Sequence, residues 1–168
     1  MGQLESQTRA QLAVNYIYLM AFFAANGVVM STISLYLKQN YGDKISIWGV
    51  TMGVASLGGM LLATRSLVGM LAGPISGHLS DRQGNRWSFV VGGIIFGGVG
   101  FGVLILGREI WTVPLGVVLI ALSTGVLLTT LAALTGDLAS SDRQGRAIGR
   151  LATAGDVGSA AGPLLAYA

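Results

Sequence analysis

Five predominantly apolar runs, residues 12–37, 45–79, 87–106, 112–135 and 147–168, make up most of this chain, and only short polar segments part them. About 20 such residues in a row are what an α-helix needs to cross a hydrocarbon core roughly 30 Å thick. The sequence therefore predicts an all-α polytopic membrane protein with about five transmembrane helices. Charge supports this: 10% of the residues are Asp, Glu, Lys or Arg, against roughly 25% in a soluble domain. The 26 glycines point the same way, because glycine is more frequent in membrane helices than in soluble ones. Cysteine is absent, which excludes a disulfide framework, a zinc cluster and thiol chemistry.

The first run follows a polar start, MGQLESQTRAQ, in which Glu5 offsets Arg9. A signal peptide has a basic start and a shorter apolar core, so residues 12–37 read as a span. The polar turn KQNYGDK follows at 38–44. The run from Ile45 to Leu79 has 35 residues and as one helix would reach about 52 Å. It must tilt, protrude or break, and Pro74 among glycines is the expected place. Net charge is +3, but the basic residues sit in loops rather than along one face, so nucleic acid is not a predicted partner. Arg9, Arg82, Arg86, Arg143, Arg146 and Arg150 fall on one side of the predicted topology, and Lys38, Lys44 and Arg108 on the other. The positive-inside bias then makes the N-terminus and both loops bearing the first set cytoplasmic, with the cell (inner) membrane as the expected location.

Those two loops share a sequence. GPISGHLSDRQGNR at 73–86 contains SDRQG at 80–84, and SDRQG returns at 141–145. The offset of 61 residues is one helical hairpin, which brings the chain back to the same face. Gly84 permits the positive φ that a tight turn needs, Gly77 lets a helix come close, and Asp81 can accept hydrogen bonds from arginines or from a helix N-terminus. Around this turn, Gly77, Asp81, Arg82, Gly84 and Arg86 resemble the loop between the second and third helices of a six-helix half in the major facilitator superfamily. That pattern is Gly, three residues, Asp, a basic residue, any residue, Gly and two basic residues; Asn85 departs from it. The resemblance implies that Asp81, Arg82 and Arg86 act as a cytoplasmic latch holding the outward-open state. The bland alternative is that the arginines only enforce topology.

A second resemblance lies in the last run. Gly149, Gly158, Gly162 and Pro163 have the spacing of the fifth-helix motif of the family's drug and small-solute:proton antiporter branch, although Ala166–Tyr167 stand where a glycine pair is usual. Small residues four apart also suit plain helix packing in lipid. The fourth run carries no charge, whereas an arginine followed by Gln-Gly is expected in the N-terminal half of such antiporters. That absence tilts towards a C-terminal half and the fifth-run glycines towards an N-terminal one.

Two charges fall inside runs. Arg65 lies 16 residues before Asp81, about 24 Å along a helix, and Asp156 lies near the middle of the last run. Each costs on the order of 2.5–3.5 kcal/mol at mid-bilayer on insertion scales, so both are expected to face protein, water or a partner. They are candidates for pairing, or for separate roles in substrate binding and proton coupling; snorkelling for Arg65 and a structural hydrogen bond for Asp156 are the alternatives. In the second loop, Asp137, Asp142, Arg143 and Arg146 are the charged candidates, Asp137 being expected to cap the helix or pair with Arg143 or Arg146. Asn15 and Asn26 are cavity candidates, because the first helix of each half borders the cavity in the family the loop resembles. His78 reads as an incidental loop histidine. The glycines Gly93/Gly97 and Gly98/Gly102 have close-packing spacing, and with no preceding strand and no following lysine they are not a nucleotide loop. No His, Cys or carboxylate cluster suggests a metal site or cofactor, and the chain does not read as an enzyme.

The resemblance implies part of a twelve-helix transporter that moves a small solute or drug by alternating access, with proton coupling. The 168 residues are expected to need the missing helices of the other half, in the same longer chain or a separate one. The alternative is a truncated or split chain acting as an accessory membrane subunit without transport.

Overall fold

A computed structural model describes residues 2–47 and 50–167. The first helix, α1, spans Gly2–Phe22, widens into a π-helical segment at Phe23–Val29, and resumes as α2 at Met30–Tyr41. A π turn carries one extra residue and leaves carbonyls poorly placed for the next turn. Here side chains make up the difference: Ser31 Oγ donates to the Gly27 and Val28 carbonyls at 2.6 and 3.0 Å, and Thr32 Oγ1 to Val28 at 2.8 Å. Such hydroxyl bonds are what permits an irregular turn at membrane depth.

The run from Ile45 to Leu79 does not form one helix. Its start pairs instead as an antiparallel hairpin, β1 Lys44–Ile47 against β2 Val50–Gly53, and residues 48 and 49 lie outside the described residues. Helix α3 then spans Val54–Gln83 and continues unbroken through Pro74. At 30 residues it is about 45 Å long, so the excess over one bilayer is removed by the hairpin at one end and extension into the turn at the other. Pro74 is tolerated because a membrane helix can satisfy a freed carbonyl through neighbours. The remaining helices are α4 Arg86–Leu106, α5 Thr112–Leu138 and α6 Gln144–Ala166.

Four stretches, Gln7–Tyr41, Val54–Gln83, Arg86–Leu106 and Thr112–Leu138, are long and apolar enough to cross a membrane. The expected fifth, 147–168, differs. Helix α6 has 23 residues, enough in length, but Arg150, Asp156 and its many small residues keep it below that apolarity, and Ala168 lies outside the described residues. It is placed by packing rather than by greasiness. Helix α5 is the centre of the bundle: half of its apolar stretch is buried, against 17% in α4. Val14, Tyr18, Val90, Leu127, Leu131, Leu134 and Leu151 join α1, α4, α5 and α6 in one core cluster. A second joins Ile33, Leu37, Val54, Leu61, Val113 and Val117 towards the hairpin. Large apolar side chains such as Leu71, Ile95, Ile105 and Leu106 point outward, as expected of a surface solvated by lipid rather than water.

Candidate functional site

Only Gly84 and Asn85 separate α3 from α4. Gly84 has φ of 67°, the left-handed region that other residues rarely adopt, and its N–H returns to the Ser80 carbonyl at 3.1 Å. Asn85 Oδ1 accepts from the Ser88 N–H at 3.4 Å and starts α4. The asparagine that departs from the loop pattern therefore serves as a helix cap. This reversal sets Arg86 on the first turn of α4 between two carboxylates. Its Nη2 donates to Asp81 Oδ1 at 3.0 Å and its Nε to Asp137 Oδ2 at 2.7 Å.

Asp137 was expected to cap its helix or to pair with Arg143 or Arg146; it is bound by Arg86 instead. The reason is geometric: it lies one residue before the end of α5, beside the α3–α4 turn, while Arg143 precedes α6 across the 139–143 connection. Arg143 pairs at 3.4 Å with its neighbour Asp142, and both are exposed. The Asp142 carboxyl is held below the usual aspartate value by the Ser140 hydroxyl first and by Arg143 after it. Arg82, Arg146 and His78 are exposed, with no ion pair among the described residues. One cluster therefore links three helix ends through a single guanidinium, and it is half-screened: the Arg86 side chain is 24% exposed while its partners are 62% and 56% exposed.

The same end of the bundle holds the start of α1. Gln11 Nε2 donates to the Leu138 carbonyl at 3.2 Å, and Gln144 Nε2 to Gly136 at 3.3 Å. A cleft of about 400 Å³ there is lined by α1, the end of α5 and the start of α6, with Arg143, Arg146 and Arg150 on its wall. Asn15 is half-buried and borders a small adjoining pocket of about 70 Å³ with Arg150. At the opposite end Lys38 pairs with Asp43 at 3.1 Å. The residues counted as one basic side thus lie together at one end, with Lys38 and Lys44 at the other.

Arg65 and Asp156, the two charges inside the apolar runs, do not pair. Arg65 is 8% exposed, and Nη2 donates to Asn26 Oδ1 on the π segment. Its Nε is buried without an acceptor. Asp156 is exposed on α6 with no ion pair among the described residues. Along their helices Arg65 stands 18 residues from Gln83 and Asp156 12 from Gln144, about 27 and 18 Å respectively, so the two occupy different depths.

Helix α6 meets the first span through glycine. Gly162 lies against the backbone of Gly27, and Gly158 against Leu19 and Phe23, so closely that a Cβ at either would overlap main-chain atoms. Gly155, a position the sequence pattern missed, packs on the Tyr18 ring. Gly149 faces open space, so of the motif's glycines two make the crossing. Pro163 sits inside α6, four residues before Tyr167, whose hydroxyl reaches the Ser31 carbonyl. Gly77 and Gly73 face Thr129 on α5, and Gly93 and Gly97 face Leu127 and Ser123, whereas Gly98 and Gly102 have no neighbour within 4 Å. Ser123 Oγ also donates to the Gly93 carbonyl at 2.7 Å. Among the described residues there is no His, Cys, Asp and Glu grouping suited to a metal ion.

Residues 16–168 match a family model described as Major Facilitator Superfamily. The match covers most of the chain, and the chain belongs to that superfamily. Its fold is accordingly an all-α half-domain of that type, and its general role is membrane transport by a multi-pass protein. No curated protein and no solved structure gives a significant match.

Proposed function

We propose that this member of the superfamily forms part of a larger transporter that moves a small solute or drug by alternating access, in exchange for protons. The observation that carries the reading is the Arg86 bridge, which ties the α3–α4 turn to the end of α5. The two carboxylates are exposed and the guanidinium only partly shielded, so the three charges can separate at modest cost, and a latch between two conformations has to make and break. The bridge lies at the end that also gathers the N-terminus, the second SDRQG loop and most of the arginines. The positive-inside bias supports making that end cytoplasmic. In this reading Asp81, Arg82 and Arg86 form the latch, with Asp137 as its second acceptor.

Asp156 is the proton carrier in this scheme. It is a carboxylate within the last helix with no ion pair among the described residues, and ionisable groups inside membrane helices mark substrate and ion pathways. The Gly158–Gly162–Pro163 crossing supports the antiporter branch, because it holds α6, and with it Asp156, directly on the first span. The other half of the transporter, on the same longer chain or another, supplies the facing wall of the cavity.

The test is solute-driven proton movement in proteoliposomes containing a pH-sensitive dye, loaded with a panel of cationic, neutral and anionic solutes. Transport predicts a change of internal pH with at least one class, lost in Asp156→Asn. A wild-type response undiminished in Asp156→Asn removes the carrier role. No response to any class, with the protein folded and inserted, favours the accessory-subunit reading.

A further inference from the structure

We propose that the basic cleft between α1 and α6 seats the phosphate headgroup of one anionic phospholipid, with an acyl chain laid along the exposed side of α1. The cleft holds about 400 Å³, and its wall carries Arg143, Arg146 and Arg150 but no Asp or Glu. Among the described residues only Arg143 of the three has a carboxylate within ion-pair distance, Asp142 at 3.4 Å. Arg146 and Arg150 are exposed. Standing four residues apart on α6, they share one face and repel each other there. An anion between them relieves that repulsion. A phosphodiester suits the place, because the planar guanidinium fork matches phosphate oxygens with paired N–H donors.

What marks the occupant as a lipid rather than a soluble anion is the surface that leads away from the cleft. A pocket of about 70 Å³ adjoins it, sharing Gln11, Ala147 and Arg150 and adding Leu12. Beyond Leu12, Tyr16 and Met20 line an apolar groove of about 340 Å³ between the first span, α4 and α5. Thr8, Leu12, Tyr16 and Met20 recur every four residues, so they follow one side of α1. The last three are 63%, 63% and 42% exposed. Thr8 in the cleft and Met20 in the groove are about 18 Å apart along the helix, close to the roughly 15 Å of hydrocarbon in one leaflet. A charged seat joined to an apolar track of that length has the shape of a phospholipid. Membrane residence is all that this site requires; it does not depend on proton exchange.

The test is native mass spectrometry of the purified full protein in detergent, titrated with dioleoylphosphatidylglycerol or with zwitterionic dioleoylphosphatidylcholine. The expected result is one phosphatidylglycerol held at least about tenfold more tightly than phosphatidylcholine. A basic residue near an anionic lipid surface is worth roughly fivefold in binding, so Arg146→Gln with Arg150→Gln should weaken it about 25-fold. Lys44→Gln with Arg108→Gln removes the same charge outside the cleft and should leave the affinity unchanged. Should the cleft double variant fail to fold, Arg150→Gln alone decides, with a loss of about fivefold. Excess inorganic phosphate should not displace the lipid. The proposal is overturned if the two lipids bind alike, if the cleft variants bind as the wild type does, or if both double variants lose equally. Displacement by inorganic phosphate makes the cleft a site for soluble anions and overturns the lipid. A folded protein that retains no lipid at all has the groove covered by a further helix, which overturns it as well.

Discussion

Arg82 and Arg86 stand four residues apart on either side of one turn, and their surroundings make opposite predictions. Arg86 holds two carboxylates on two helices, whereas Arg82 is exposed with no ion pair among the described residues. Exposed pairs contribute about 0.2–1 kcal/mol each, and Arg86 makes two while partly shielded. Arg86→Gln is therefore expected to lower stability by about 1 kcal/mol, and Arg82→Gln to change it by less than about 0.5 kcal/mol. Thermal unfolding of the two variants side by side checks this; equal effects would show that loop charge, not the bridge, matters. The motif made the participation of Asp81 and Arg86 legible. Asp137 was harder, because in sequence it adjoins Arg143 and Arg146 and only the packing of α5 beside the α3–α4 turn reveals its partner. Likewise Arg65 and Asp156 were visible as costly charges, but the different depths that keep them apart follow from helix placement.

At the scale of elements, hydropathy and loop chemistry located α4 and α5 within a few residues, because both are strongly apolar and sharply bounded. It misled where apolar residues do something other than span. The start of the second run is apolar enough to extend a helix, but Lys44–Ile47 and Val50–Gly53 pair as strands at the end of the bundle. The π segment left no hydropathy signal, since one extra residue per turn changes no composition. Helix α6 shows the converse: weakly apolar, it is seated by glycines that meet backbone. That contrast gives a prediction of opposite sign at two glycines of one motif. Gly149→Ala, with open space around it, should stabilise α6 by about 0.5–1 kcal/mol through helix propensity. Gly162→Ala would push a methyl into the Gly27 backbone and should cost about 1–3 kcal/mol. Unfolding of both variants tests the pair. Stabilisation by both would mean the crossing is not as close as described.

For the whole molecule, the two ends of the bundle are chemically distinct. One end gathers the N-terminus, the Arg86 bridge and the second SDRQG loop; the other carries the hairpin and the Lys38–Asp43 pair. Between them α5 is the shared wall, and Arg65 on Asn26 places a charge in the interior. A bundle that works by alternating access must open at the bridged end when the bridge is broken. Ser80, the residue before Asp81 on α3, is 1% exposed, and the chain contains no cysteine to compete with an introduced one. The most direct measurement is the rate at which a membrane-impermeant thiol reagent labels Ser80→Cys in bilayers open to both sides, with and without Arg86→Gln. Release of the latch predicts labelling at least about tenfold faster in the double variant, the equivalent of roughly 1.4 kcal/mol shifted towards the open form. Equal rates in a folded, inserted protein would contradict the account, leaving Arg86 a topological anchor and not a latch.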